Sequence, residues 1–270
     1  MRRIDTILEV TQILDLIDQG TTMPIRCNLA NGMTAVVKYM KNPYGQRVLI
    51  NELVGNCIAD ELGLMIPEFG ICNISETVIE STNDIEEIDN QNSGYGFFSN
   101  SYSNAVPLVP GLLSDVEIKQ TETLLLFDHI VNNFDRHDGN ILLEIKPLLT
   151  LIFIDNSHII FQELNIRDIN IEHELDPAKI VSANLYNCNK DIYDLLCYRV
   201  GYSEETLLSE AKRIQSLLSE TTLQKIRNLI PDCWIESVGQ EYIDNMFLVL
   251  QHRVDAIPSI CETIIRERRR

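Results

Sequence analysis

One polar segment near the middle of the chain constrains its fold and its chemistry more than any other. Asp135 and Asn140 lie five residues apart in the run Asp-Arg-His-Asp-Gly-Asn. Two short apolar runs follow, Ile141–Ile145 and Leu149–Ile154, with turn residues between them. We interpret the runs as a β-hairpin that brings Asp155, which follows the second run, back to Asn140.

Two carboxylates and one amide at these spacings suit phosphoryl transfer with Mg²⁺ and ATP. A triphosphate needs cations to offset its charge and a positioned nucleophile, and Mg²⁺ prefers oxygen ligands. We predict that Asp155 bridges metal and phosphates, that Asn140 binds a second metal ion, and that Asp135 orients or deprotonates the attacking hydroxyl. The same segment also fits a polar turn after a helix, in which Asp and Asn serve turn geometry alone.

A lysine near the N-terminus is the predicted phosphate ligand. Asn31-Gly32 separates residues 24–30 from residues 33–40, which is a strong two-residue hairpin signal. The second of these strands carries Lys38, where a lysine can grip the α- and β-phosphates. The plainer alternative is an exposed lysine on a strand.

A helix is predicted over residues 46–62, because apolar residues recur at helical spacing and Gly63 is a natural cap at its end. Glu52 lies on this helix 14 residues after Lys38. It is beside Gly55 on a face of small residues that permits close approach of a strand. We predict an ion pair between Lys38 and Glu52 that positions phosphate, against the alternative of a glutamate on a solvated face.

Apolar spacing and turn residues predict the other elements. In the first half of the chain these are a short helix or mixed segment at 5–19, strands at 64–67 and 69–79, an exposed loop at 80–94, a strand at 95–99 and a hinge at 100–113. A helix follows, from the capping box at 114–117 to about 133, and residues 157–176 are irregular. Further helices start at Pro177 and span 203–219, 222–229 and 239–267, the last bent at Pro258. The single tryptophan, Trp234, is predicted to plug the core between two of the helices.

Composition restricts the class of protein. The net charge of −18 argues against a nonspecific nucleic-acid binder, which needs basic surface. No apolar run approaches the ~20 residues that span a bilayer, and the N-terminus is not a secretory signal. The seven cysteines are scattered without a CxxC pair, so neither a disulfide framework nor a zinc site is indicated. We therefore expect a cytoplasmic protein without a membrane or direct nucleic-acid partner.

Two histidines near the polar segment receive different interpretations. His129 lies on the apolar helix before the segment and is expected to be a core or boundary residue. His137 lies inside the segment, where it can contact phosphate or brace the loop. We favour bracing, because His137 has no companions at metal-ligand spacing.

These motifs together resemble the HipA-like kinases, and more specifically their short stand-alone members. The resemblance covers about residues 20 to 255. It is carried by Lys38, the Glu52 helix with its Glu-Leu-Gly-Leu end at 61–64, Gly-Phe-Phe-Ser at 96–99, Asp135 to Asn140, Ile-Asp-Asn-Ser at 154–157 and Ile-Pro-x-x-Trp at 230–234. The Asp-Arg-His-x-x-Asn loop also resembles that of the phosphatidylinositol kinases.

The resemblance implies an α+β, two-lobed protein-kinase-like fold. A small β-rich N-lobe would span residues 1–104 and a larger helical C-lobe residues 105–270. It further implies phosphorylation of a protein Ser or Thr hydroxyl with ATP and Mg²⁺. Asp135 would be catalytic, the cofactor-binding residues would be Lys38, Glu52 and His137, and the metal ligands would be Asn140 and Asp155. A protein substrate and a small antitoxin-like protein partner are also implied.

Departures from typical kinases keep two alternatives open. The chain has no GxGxxG loop, and Asn-Phe replaces His-Arg before Asp135. Asp155 is followed by Asn-Ser rather than Phe-Gly. These departures motivate a catalytically silent binding module. The phosphatidylinositol-kinase-like loop motivates a lipid or small-molecule kinase, although the net charge opposes the anionic membrane surface that such an enzyme would approach.

Overall fold

The computed structural model describes residues 2–17, 21–82, 92–117, 119–161 and 169–270. They form a mixed α+β protein in which most strands precede most helices. The strands are β1 (Arg3–Leu16), β2 (Ile25–Leu29), β3 (Thr34–Lys38), β4 (Phe69–Ile74), β5 (Gly94–Asn100), β6 (Ala105–Pro107), β7 (Ile141–Glu144) and β8 (Thr150–Phe153).

Helices form most of the remainder. They are α1 (Gln46–Leu62), α2 (Glu76–Glu80), α3 (Thr121–Ile130), α4 (Ile171–Glu174), α5 (Pro177–Ile180), α6 (Asn184–Cys188), α7 (Lys190–Arg199), α8 (Glu204–Leu217), α9 (Glu220–Arg227), α10 (Asp232–Val238), α11 (Gln240–Asp255) and α12 (Ile257–Arg268). Within the described residues, no helix has the length and apolar character needed to cross a bilayer.

The first five strands close into a barrel in the order β1-β2-β3-β5-β4. Closure depends on β1, which pairs with β2 in antiparallel and with β4 in parallel orientation. The predicted Asn31-Gly32 hairpin connects β2 and β3, and Gly32 has the positive φ of +84° that such a turn requires. β6, β7 and β8 form a separate sheet, whose β7–β8 pair is the hairpin predicted before Asp155.

The helix or mixed segment predicted at 5–19 is wrong, because β1 is a strand throughout its described length. Irregular pairing with β2 between Val10 and Gln12, and again between Ile13 and Asp15, explains the error. Such bulges interrupt the two-residue alternation of a strand. The two residues that β1 buries, Val10 and Ile13, are therefore three apart, which is a helical spacing. Positions 18 and 19 lie outside the described residues.

The strand predicted over 69–79 ends early. β4 stops at Ile74, and Ser75 then caps α2 by accepting a hydrogen bond from the backbone N–H of Val78. Residues 64–67 form no strand. Most of the loop predicted at 80–94, residues 83–91, lies outside the described residues, and Asn92 beyond it is buried rather than exposed.

Regular structure occupies part of the segment 100–113, which was predicted as a hinge. This segment contains β6, which pairs with β7, and a 3-10 turn that begins at Pro110. The capping box at 114–117 starts no helix, because Val116 and Glu117 pair with the backbone of Leu149 instead. α3 starts only after Gln120, whose side chain bonds the backbone of Gly63 and Met65. Tertiary contacts therefore override the local cap signal, and α3 ends at Ile130 rather than near residue 133.

Helix α1 lies at the centre of the molecule. Its sequence predicts one apolar face, but nearly every residue is buried because β5 and helices α3, α8, α9 and α10 surround it. Gly63 ends the helix at a φ of +75°, as predicted. The predicted plug, Trp234, is fully buried on α10 and donates its indole N–H to the carbonyl of Tyr95 on β5 at 3.2 Å.

The later helices agree with the sequence in their starts and differ in their continuity. α5 starts at Pro177, as predicted, with Asp176 as its cap, and Ser203 caps α8 at the predicted start of the 203–219 helix. The single helix predicted over 239–267 is divided at Ala256, and Pro258 lies in the first turn of α12. The segment 230–234 was predicted to lie between helices, but α10 starts within it, at Asp232. Helix α4 lies within the segment 157–176 that was predicted to be irregular, and helices α6 and α7 were not predicted.

His129 supplies a prediction for the stability of this core. Burial, together with the nearby charge of Arg253, lowers its pKa from an ordinary value of 6.5 to about 4. Between these values only the unfolded chain binds the proton, so stability should fall as the pH drops from 6.5 toward 4. At pH 5 the loss should be about 2 kcal/mol relative to pH 7.

Urea unfolding of wild type and His129→Phe at both pH values tests this. The phenylalanine variant keeps an aromatic ring beside Tyr193, on which His129 stacks, and should lose most of the pH dependence. The exposed His252→Gln serves as the control. An equal pH dependence in wild type and His129→Phe would contradict the assignment.

Candidate active site

The predicted ion pair between β3 and α1 is present and buried. Lys38 is 6% and Glu52 is 2% exposed. The ammonium of Lys38 donates to Glu52 Oε1, and Asn56 donates to Glu52 Oε2 at 3.1 Å. Burial opposes the charge of Lys38, yet Asp155 and Glu52 hold its pKa above its usual value. Neither residue is the solvated side chain that the plainer alternatives describe.

Asp155 joins this pair from the end of the β7–β8 hairpin. Its Oδ1 lies 3.0 Å from Lys38 Nζ. Burial would raise the pKa of Asp155, but Lys38 and a hydrogen bond with Ser157 hold it well below its usual range. The residue has a positive φ of +59°, a conformation that Asp and Asn tolerate better than other non-glycine residues. The structure thus brings Lys38, Glu52 and Asp155 together.

Ser157 is a member of the cluster that the sequence did not single out. It is 1% exposed, accepts from Lys38 Nζ at 2.5 Å and donates to Glu52 Oε1 at 3.0 Å. Its N–H bonds Asp155 Oδ1 at 3.1 Å, and its carbonyl accepts from Asn51 at 2.6 Å. Its position two residues after Asp155 was the available signal, because an aspartate often bonds the backbone N–H two residues on.

The predicted catalytic loop presents Asp135 to solvent and buries Asn140. Asn140 Nδ2 donates to the carbonyl of Asp135 at 2.6 Å, and Asn133 Oδ1 accepts from the N–H of Asp135 at 3.0 Å. The N–H of Ile154, directly before Asp155, donates to the carbonyl of Asn140 at 3.1 Å. The loop and the Asp155 segment are thus neighbours, as the predicted hairpin requires.

A buried ion pair that was not predicted from the sequence supports the Asp135–Asn140 loop on its buried side. Asp128 on α3 and Arg136 have fully buried side chains, with Arg136 Nη2 2.9 Å from Asp128 Oδ1. Tyr193 on α7 donates to the other oxygen of Asp128 at 3.1 Å. Arg136 Nη1 donates to the carbonyls of Asn140 at 3.2 Å and Ile154 at 3.0 Å. Arg136 therefore connects the loop to the Asp155 segment.

The exposed His137 stabilises its own loop. Its Nδ1 accepts from the backbone N–H of Gly139 at 3.0 Å. This contact is the bracing interaction that the sequence favoured over phosphate contact.

The donor set fits the predicted metal. The side chain of Asp155 is 34% exposed. The Nδ2 of Asn140 is already bonded to Asp135, which leaves its side-chain oxygen as the available ligand. Among the described residues, no group of three or more His, Cys, Asp or Glu side chains could hold a metal. One carboxylate and one amide suit Mg²⁺, which is commonly held by one or two carboxylates together with phosphates and water.

Gly55 on α1 permits the Asp155 segment to approach the helix. A Cβ at this position would lie 2.7 Å from Cβ of Asn156 and 3.0 Å from its Cγ. We expect Gly55→Ala to destabilise the protein by roughly 1–3 kcal/mol, because the buried Asn156 cannot move away without displacing Asp155 and Ser157. Urea unfolding measures the loss. Gly111→Ala is the matched control, since its added Cβ meets nothing within 4 Å, and an equal effect in both variants would contradict the close approach.

Comparison with known proteins identifies the family. The family model of the HipA-like kinases matches residues 10–190. The chain belongs to the HipA-like kinase family. Helices α8 to α12 follow the matched region. No curated protein sequence matches the chain significantly.

Solved kinase structures share its fold. The proinflammatory kinase CtkA of Helicobacter pylori is 14% identical with a TM-score of 0.58, and the alignment covers 97% of this chain and 99% of CtkA. The Golgi casein kinase is 10% identical with a TM-score of 0.52, over 95% of this chain and 72% of that protein. At these identities the likeness concerns the fold, which is that of a kinase.

Proposed function

We propose that this chain is an ATP- and Mg²⁺-dependent kinase that transfers the γ-phosphoryl group to a Ser or Thr hydroxyl of a protein. The observation that carries the proposal is the buried contact of Lys38 with Glu52 and Asp155, adjoining the Asp135–Asn140 loop. The kinase family and fold supply the reaction class. The geometry supports the four roles that phosphoryl transfer needs. These are a phosphate-binding lysine, two metal ligands and a residue that accepts the proton of the attacking hydroxyl.

Lys38 would hold the α- and β-phosphates, and Glu52 and Ser157 would keep its ammonium in place. Asp155 and Asn140 would hold Mg²⁺, which when bound offsets charge on the phosphates. Asp135 would accept the proton of the substrate hydroxyl while that oxygen bonds to the γ-phosphorus and ADP leaves. His137 would orient the loop, with phosphate contact as its alternative role.

We also propose that the polypeptide is arranged as two lobes, an N-lobe of residues 1–104 and a C-lobe of residues 105–270. The barrel and α1 would grip the nucleotide from one side. The Asp135 loop and the β7–β8 hairpin would face them from the other. Phosphates would then lie where Lys38 and Asp155 meet.

The expected partners are a protein substrate and a small antitoxin-like protein, in the cytoplasm. The net charge of −18 supports a chain that does not bind nucleic acid directly and does not act at an anionic membrane. The silent-module alternative rests on the missing GxGxxG loop. Retention of Lys38, Asp135, Asn140 and Asp155 favours the active kinase.

Incubation with γ-labelled ATP, Mg²⁺ and a cell lysate tests the proposal. Label should appear on a protein Ser or Thr and disappear with Lys38→Met. Thermal unfolding with Mg²⁺–ATP tests the silent module, because a ligand at 100 times its Kd adds about 2.7 kcal/mol of stability. Stabilisation without any labelled product would support a binding module. Strong retention on anionic liposomes, with label in lipid, would support the lipid kinase.

A further inference from the structure

A small polar cavity lies behind the segment that precedes Asp135. Its volume is about 170 Å³. Its wall includes His129 from α3, Asn132 and Phe134 from the segment itself, His173 and Lys179 from α4 and α5, and Arg253 from α11. Among the described residues, no aspartate or glutamate lines it, although acidic residues outnumber basic ones by 40 to 22 in the chain.

Arg253 is a buried cation in this wall without a bonded carboxylate among the described residues. It is 2% exposed. Its Nη1 donates to the carbonyl of His129 at 2.7 Å, and its Nη2 donates to Asn132 Oδ1 at 2.6 Å. Within the described residues, the Nε of Arg253 and the Nε2 of His129 are buried with no hydrogen-bond partner. Burial accordingly lowers the pKa of Arg253 to about 10.

A buried charge without a partner is costly, so a site of this kind favours a counter-ion. Glu174 is the carboxylate that interacts electrostatically with Arg253. It does not bond the guanidinium: its Oε1 pairs with Lys179 at 2.5 Å, and its Oε2 is buried without a hydrogen-bond partner among the described residues. Counting only the part of the chain that the structure describes, the cations of Arg253 and Lys179 are balanced near the cavity by the single carboxylate of Glu174, which leaves one positive charge in excess.

We propose that this cavity binds a tetrahedral oxyanion of the phosphate class, either free or carried on a phosphorylated side chain. Arg253 and Lys179 supply charged N–H donors, a combination suited to phosphate oxygens. The volume is below the ~300–1,000 Å³ of pockets for drug-sized ligands, so it fits a small anion rather than a nucleotide. The bound anion would fix Arg253, and through Asn132 the segment that leads to Asp135.

Inorganic phosphate is the probe. Thermal unfolding and isothermal titration calorimetry in phosphate, against chloride at equal ionic strength, should show stabilisation and saturable binding. Arg253→Lys, which keeps the charge but loses the planar fork, should weaken binding roughly 10- to 100-fold. Lys179→Met should weaken phosphate binding by a similar factor. Because Lys179 is partly exposed, this variant should fold even if the Arg253 variant does not, so the test stays decisive. The exposed Lys225→Met is the control and should bind as wild type does.

Two further experiments are needed. One distinguishes free phosphate from a phosphorylated side chain, and the other distinguishes this cavity from the proposed nucleotide site. A phosphothreonine peptide binding more tightly than inorganic phosphate would identify a phosphorylated side chain as the ligand, and weaker binding would identify the free ion. Asp155→Asn should keep phosphate binding while losing stabilisation by Mg²⁺–ATP, so failure of the kinase proposal is distinguishable from failure of this one. Stabilisation no greater than in chloride, or equal affinity in wild type and Lys179→Met, would overturn the proposal.

Discussion

Replacing Asp155 by asparagine is expected to lower the rate of phosphoryl transfer by about 100- to 1,000-fold, the usual cost of removing one electrostatic contact from a transition state. Asparagine has almost the same shape and tolerates the positive φ of this residue. The backbone and the Ser157 turn should therefore persist. What the variant removes is the negative charge that faces Lys38 at 3.0 Å and that would hold Mg²⁺.

The measurement is turnover of γ-labelled ATP on the labelled protein substrate. Asp138→Asn provides a matched control, because Asp138 is a carboxylate of the neighbouring loop with 80% of its side chain exposed. It should retain nearly full activity. Wild-type turnover by Asp155→Asn would show that the metal and phosphate roles proposed for this residue are wrong.

Breaking the Asp128–Arg136 pair should produce the largest loss of stability, about 3–5 kcal/mol for Arg136→Met alone. Both side chains are fully buried, so the remaining carboxylate would stay in the core without its cation. Arg136→Lys should recover little, because a lysine cannot reproduce the fork that reaches Asp128, Asn140 and Ile154 together.

Chemical unfolding of Arg136→Met, of Asp128→Leu and of the double variant Asp128→Leu/Arg136→Met isolates the pair. The double variant should lose much less than the sum of the single variants, because it leaves no unpaired buried charge. Arg269→Gln serves as the control, since its bridge to Glu204 is exposed and such pairs contribute about 0–1 kcal/mol. A loss below 1 kcal/mol in Arg136→Met would refute the bracing role.

Local signals predicted the site better than they predicted the barrel. The spacing from Asp135 to Asn140 and the hairpin before Asp155 lie within one short stretch of chain, so turn chemistry and apolar alternation were sufficient. Lys38 and Glu52 could be paired because a hairpin and a capped helix fixed the elements that carry them. Their burial was not foreseeable, because it depends on helices far along the chain that enclose α1.

The failures share a long-range cause. β1 resembles a helix because irregular pairing with β2 changes which residues are buried. The capping box at Ser114 is inactive because Leu149 pairs with the segment. The role of Asp128 depends on its buried contact with Arg136, which no local sequence pattern indicates. The position of Ser157 two residues after Asp155 was enough to predict its bond to that aspartate. Its contact with Glu52 was not predictable, because the two residues are 105 apart in sequence.

The position of Trp234 gives this protein an intrinsic optical reporter. The indole is the only one in the chain. Its N–H bonds the carbonyl of Tyr95 on β5, two residues before Phe97, which pairs with Lys38 on β3. Indole emission depends on hydrogen bonding and local polarity. Rearrangement of the barrel against α10 on nucleotide addition should therefore change its fluorescence, and the event can be timed in a stopped-flow instrument without attaching a dye.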